Sequence, residues 1–142
     1  MTTFYESRIS TFEVDDSGDT LRDLTPYVIS VDFPIDVELI DTTVLGDVGR
    51  TSIPGLENTI FTVEFQWSED ANVGPDTVIA PLKRQATTSS FEYGPEGNAT
   101  GDIMYTGECR LQQWRPGSRV GEQVKGTATF RVSGAVTRAA HG

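Results

Sequence analysis

One histidine and one cysteine are all that the chain offers for nucleophilic or metal chemistry, and neither stands in a catalytic pattern. His141 is the penultimate of 142 residues. A Ser-His-Asp or Cys-His arrangement needs its imidazole held in a packed site, which a short end segment does not provide. His141 therefore reads as a spectator. A zinc site would have to draw most of its ligands from carboxylates, against the usual preference for Cys and His. Cys109 falls on the apolar side of an alternating segment and reads as a buried structural thiol. Asp15-Asp16-Ser17-Gly18-Asp19 lacks the Asp-x-Asp-x-Asp-Gly register of a calcium loop, and Pro26 stands where its closing Glu should be. It reads as a hairpin turn. There is no strand-loop-helix phosphate motif. No catalytic residue, no cofactor and no metal is expected.

Two constellations remain. Asp32, Asp36, Glu64 and Glu108 all lie on polar strand faces, and spacing alone leaves a glycosidase-type carboxylate pair open beside the plainer reading of a solvated acidic face. Trp67 and Trp114 could form a sugar-stacking platform. Trp67 is in phase with Phe61, Val63 and Phe65, which favours core packing. Trp114 is out of phase with Ile103–Leu111 and is the better candidate for exposure or an interface.

The elements that position these residues are strands. Every odd residue from Tyr27 to Leu39 is apolar, and so are Phe61, Val63, Phe65 and Trp67, a period of two that marks half-buried sheet. Tyr27–Leu39 would run roughly 43 Å if flat, at about 3.3 Å per residue. Pro34 on its polar side marks a bulge or an edge. Either a bent core strand or a strand projecting for assembly fits that length. Residues 41–58 do not alternate, yet carry Val44, Leu45, Val48, Ile53 and Leu56. A loop that long in one domain is normally functional, and its apolar residues suggest that it docks onto something. Asn72–Gln85 is the one helix signal, with Pro75 suited to a first turn, Val78, Ile79 and Leu82 on one stripe, Lys83 and Arg84 at the end, and Pro81 shortening or kinking it. Phe4–Val14, Thr87–Tyr93, Ile103–Leu111 and Val124–Val136 add further strands, and residues 138–142 read as a flexible tail. About six to eight strands and one helix predict a mostly β fold, a β-sandwich or open barrel with one flanking α-helix.

The length fits a single domain spanning 1–142 with one core. Eleven basic and 21 acidic side chains give a net charge of −10. That balance disfavours gripping nucleic acid or an anionic membrane, because phosphate contacts need Lys and Arg. Solubility alone explains it, as does a surface that must pass DNA without holding it. No segment approaches the ~18 apolar residues of a membrane span, and no secretory signal is visible at the start. The expected location is a reducing cytoplasm, or a particle assembled there.

Three passages together resemble the major tail tube proteins of long-tailed bacteriophages and related phage-like particles such as gene transfer agents. They are TPYVISVDFPIDVELIDTTVLGDVGR, SIPGLENTIFTVEFQW and the closing GTATFRVSGAVTR, in that order and spacing. The resemblance spans Leu24–Arg138, and the helix signal near Pro75 falls where that family places its helix. It implies a β-sandwich whose copies form a ring of six around a lumen, with rings stacked into a tube that conducts DNA.

Carried onto this sequence, the resemblance makes residues 41–58 an inter-ring loop. Asp41 lies at its start, Asp47 and Arg50 are polar contacts, and Ile53, Pro54 and Leu56 form an apolar anchor. Asp32, Asp36, Glu64 and Glu108 are candidates to face the lumen. The implied partners are further copies of the chain and other tail proteins (tape measure, terminator, distal tail or baseplate), with DNA only in transit and no membrane. The implied location is the tail of a virion or phage-like particle, assembled in bacterial cytoplasm. The rivals are a tail terminator or capsid decoration protein, and a carbohydrate-binding β-sandwich using Trp114.

Overall fold

The computed structural model describes residues 9–68 and 74–141. The outer residues of Phe4–Val14 and Asn72–Gln85, Phe4–Arg8 and Asn72–Val73, lie outside that range. Nine strands and one helix are present among the described residues: β1 (Thr11–Asp15), β2 (Leu21–Asp23), β3 (Val28–Asp32), β4 (Val37–Asp41), β5 (Ser52–Glu57), β6 (Ile60–Gln66), α1 (Pro75–Ile79), β7 (Ser89–Gly94), β8 (Ile103–Gly117) and β9 (Lys125–Ala140). All neighbours pair antiparallel in one seven-stranded sheet, β2-β1-β7-β8-β9-β6-β3, while β4 and β5 pair only with each other. The expected fold class is therefore what the chain adopts. The nine strands exceed the expected six to eight by one; the short β2 and the arm strand β5 match no expected segment, and β4 comes from the division of Tyr27–Leu39.

The sheet becomes two layers because its longest strands bend. β8 slips register between Thr106 and Glu108 and again between Leu111 and Gln113. Opposite the first slip, Gly134 takes φ +93°, a backbone angle that suits glycine. Bulges bend strands and sharpen their twist. The bend brings Phe12 of β1 against Phe61, Phe65 and Phe130, with ring centroids 6.0, 6.2 and 6.5 Å away. The same slips explain a mismatch with strict alternation. Met104 is buried on the even phase, Cys109 on the odd, and Trp114 returns to the inward side after the second bulge.

Trp114 is thus corrected from an exposed platform to a half-buried anchor. Its indole N–H donates to Asp76 Oδ1 at 3.1 Å, tying α1 to β8. Its ring lies so close to Gly126 that a Cβ there would sit 2.3 Å from a ring carbon. Trp67, expected in the core, is exposed, because β6 ends one residue earlier.

α1 is shorter than its apolar stripe suggested. Pro75 occupies the first turn and Asp76 complements the dipole, while Ala80–Leu82 tightens into a 3-10 turn around Pro81. Val78, Ile79 and Leu82 join the core, and Lys83 and Arg84 follow the turn.

Tyr27–Leu39 is two strands, not one. Tyr27 belongs to a 3-10 turn, a bulge between Val28 and Ser30 turns Ile29 outward, and the chain leaves the sheet at Phe33–Asp36 around Pro34. Phe33 still returns to the core, stacking on Phe61 at 4.9 Å and Tyr93 at 5.6 Å. Residues 138–140, expected as a flexible tail, continue β9. Arg138 pairs with Tyr105 and Ala140 with Ile103, while His141 N donates to Asp102 O at 2.7 Å.

Candidate assembly surfaces

The expected loop at 41–58 is a hairpin arm. β4 and β5 register Val37 with Glu57, Leu39 with Pro54, Ile40 with Ile53 and Asp41 with Ser52. The base is tied by Asn58 N donating to Asp36 O at 2.9 Å. Sequence alternation missed β5 because Pro54 and Gly55 interrupt it.

At the tip, Val44 N donates to Asp47 Oδ2 at 2.9 Å and Asp47 N returns to Val44 O at 3.0 Å. Arg50 Nη1 lies 3.4 Å from Asp41 Oδ2, so two expected contact residues pair with each other within the arm. Both are well exposed, and such pairs add little stability. Hydrogen bonding from Thr43, first its side chain and then its backbone N–H, holds the Asp41 carboxyl below the ordinary carboxylate range.

Among the described residues the arm's apolar side chains are exposed. Leu39 is 67% exposed, Leu56 79%, and Leu45 and Val48 are fully exposed. Isolated residues of this kind are ordinary on a surface, but a contiguous apolar projection marks an interaction site.

The second surface is the outer face of β3-β6-β9-β8. Register puts Asp32 beside Thr62, Glu64 beside Thr127, whose other neighbour is Arg115, and Glu108 beside Ser133. Three of the four expected carboxylates therefore share one polar face, while Asp36 stands apart at the base of the arm. Arg110, Arg115, Arg131 and Lys125 interleave with them, so the face is mixed in sign. Glu64 sits 3.9 Å from Lys125 Nζ. Glu108 accepts from the hydroxyls of Thr88 and Ser90. Arg110 reaches the carbonyls of Gln85 and Ala86 at 3.0 and 3.2 Å.

Measured along β9, Glu64 and Glu108 are about six residues or roughly 20 Å apart, far beyond the ~5–9.5 Å of a glycosidase pair. Cys109 is fully buried, and burial pushes its thiol pKa well above the ordinary value. Among the described residues no three His, Cys, Asp or Glu side chains converge to hold a metal ion, and no helix is long and apolar enough to cross a membrane.

A third feature escaped sequence reading because it depends on register. Glu13 stands directly opposite Asp23 on one side and Glu92 on the other. Like charges so placed are destabilising. Burial first, then Asp23 and Glu92, raise the Glu13 carboxyl above the ordinary glutamate value, against lowering by Asn98 and by His141, which thus has an electrostatic neighbour. A raised acid pKa means that the fold holds this proton more tightly than the unfolded chain. Stability from it is greatest at low pH and falls as pH rises from the ordinary value through the raised one. Glu13→Gln is expected to abolish that fall and raise the melting temperature near neutral pH. Thermal melts over a pH series check it, and an unchanged pH slope would contradict the assignment.

No family model and no curated protein matches the chain. Solved structures do. A chain from the virion of a native gene transfer agent particle aligns over 96% of this chain and 100% of its own, at 11% identity and TM-score 0.76. A chain from the tail of an empty gene transfer agent particle, refined with C6 symmetry, aligns over 96% and 100% at 10% identity and TM-score 0.78. A chain of the anti-feeding prophage baseplate, six-fold symmetrised, aligns over 99% and 98% at 14% identity and TM-score 0.64. The fold is that of phage tail-type proteins.

Proposed function

We propose that the chain is a structural subunit that closes rings of six, and that the rings stack into the tail tube of a phage-like particle, a conduit for DNA. It performs no catalysis in this reading. The observation that carries it is the β4–β5 arm, a ribbon that pairs with no other strand among the described residues and leaves its apolar side chains exposed. In this reading Asp41, Asp47, Arg50, Ile53, Pro54 and Leu56 belong to the segment that crosses to the next ring. The edges of the open sheet pair with those of neighbouring copies, which removes unpaired backbone from solvent. Tape measure, terminator and distal tail proteins complete the tail, which assembles in bacterial cytoplasm. The six-fold symmetry reported for the tail and baseplate neighbours supports the stoichiometry. The baseplate likeness also favours a second reading, a single ring at the end of a tube.

Mass photometry over a concentration series tests ring closure. Species at six times the 15.5 kDa of the chain, and multiples of that, are expected. Monomers at every concentration would overturn the proposal.

The outer face of β3-β6-β9-β8 is the surface we assign to the lumen. Its interleaved signs offer no continuous basic track for phosphates, and the net charge of −10 adds repulsion within the ~8–10 Å reach of unscreened charge. Changing Asp32, Glu64 and Glu108 to Lys is expected to slow DNA delivery by creating phosphate contacts. Unaltered delivery from particles carrying that variant would remove these residues from the lumen.

A further inference from the structure

We propose that the chain's own first segment, Met1–Arg8, seats in a cleft between β1 and β3 of the lone subunit and covers the free edge of β3, so that a ring closes only as this segment leaves. The proposal rests on the ring reading above, which gives the same edge to a neighbouring copy.

β3 is the last strand of the sheet, and its outer edge pairs with no strand among the described residues. Across the gap stands β1. β2 pairs with β1 only over Glu13–Asp15, so Thr11 and Phe12 have β7 on one side and no strand on the other. A cleft of about 250 Å³ remains between the two, lined by Ser10 and Phe12 of one wall, Ile29 and Val31 of the other, and Tyr93. The walls differ. Phe12 N donates to Thr25 Oγ1 at 3.0 Å and Phe12 O accepts from Leu24 N at 3.1 Å, so the backbone of the β1 wall is satisfied there. On β3 the bulge between Val28 and Ser30 leaves Ile29 43% exposed. An extended segment entering the cleft therefore pairs with β3.

Chemistry and position select the occupant. Among the described residues that line the cleft none is charged, so a charged strand would lose its water there and meet no counter-charge. Met1–Tyr5 carries no charged side chain, and it offers two adjacent aromatic rings, Phe4 and Tyr5. The segment joins the fold at the cleft itself, because Ile9 leads straight to Ser10 in the wall. Ile9 lies in a 3-10 turn and not in β1, so the chain changes direction where it enters that strand. The eight residues before Ile9 reach roughly 26 Å when extended, at about 3.3 Å per residue, which exceeds the ~17 Å of β3. An open strand edge invites pairing with another chain. One edge takes one partner, so the segment and the neighbouring copy compete, and the affinity for ring closure falls by the fraction of subunits whose edge is covered.

Hydrogen exchange of the free subunit, held below the concentration at which rings form, reads the β3 amides that point away from β6. The full chain is compared with a variant lacking Thr2–Ser7. Exchange over Ile29–Asp32 is expected to be on the order of tenfold faster in the variant, and its rings are expected at a correspondingly lower concentration. Equal exchange in the two would overturn the seat. Protection of β3 that appears in the full chain only as concentration rises would assign the cleft to another copy and overturn it too. Should the deletion disturb folding, the double variant Phe4→Ser, Tyr5→Ser is read in the same way. Rings absent at every concentration, with the exchange difference present, would overturn the ring reading and the competition while the seat stands.

Discussion

Replacing Leu45 and Val48 together by Ser is expected to leave a folded monomer and abolish tubes. Both side chains are fully exposed at the arm tip, so their removal takes nothing from the core, and monomer stability should change by no more than about 0.5 kcal/mol. Between rings the balance differs. Full burial of a Leu or Val contributes roughly 1.5–3 kcal/mol. Losing two such contacts per arm weakens each ring-to-ring contact by roughly two to four orders of magnitude. The Asp41–Arg50 pair in the same arm, exposed and 3.4 Å apart, contributes at most about 1 kcal/mol by comparison. Thermal melts of the monomer and sedimentation of the assembled fraction separate the two effects. Normal tubes from the Leu45/Val48 double variant would refute the bridging role of the tip.

Phe61→Ala is expected to give the largest loss of stability. Phe61 is fully buried where the two layers meet, with ring centroids 4.8 Å from Phe91, 4.9 Å from Phe33, 5.2 Å from Phe130 and 6.0 Å from Phe12. Truncating a buried Phe costs about 3–5 kcal/mol, from lost burial and from the cavity left behind. Against a total stability of about 5–15 kcal/mol, that is a large share. The melting temperature should fall by roughly 10–20 °C for a chain of this length. A fall of only a degree or two would mean that the cluster is not the keystone of the two layers. Phe33→Ala is expected to cost less, because Phe33 is only partly buried at the margin of the same cluster.

Much of this was legible in the chain. Phe61, Val63 and Phe65 alternate cleanly because β6 lies between β9 and β3 with one face wholly in the core. The turn at Asp15–Asp19 was equally plain: Asp16 accepts from the backbone of Gly18 and Thr20 and pairs with Arg22 at 2.8 Å. What failed was phase. Each bulge in β3 and β8 shifts the period by one residue, so Ile29 points out, while Met104 and Trp114 point in, against the pattern of their neighbours. A bulge is set by cross-strand register, which a linear pattern does not carry. The exposed apolar residues Val44, Leu45 and Val48 set the arm apart in the sequence and raised the expectation of docking, but its strand character was hidden by Pro54 and Gly55. The opposition of Glu13 with Asp23 and Glu92 needed three strands to be placed side by side before it existed at all.

Cryo-electron microscopy of the purified protein, concentrated without other tail components, tests the central claim most directly. Long hollow tubes built from stacked six-membered rings are expected, with the β4–β5 arm crossing from each ring to the next. Particles that stop at a single ring, or a field of monomers at every concentration, would contradict it.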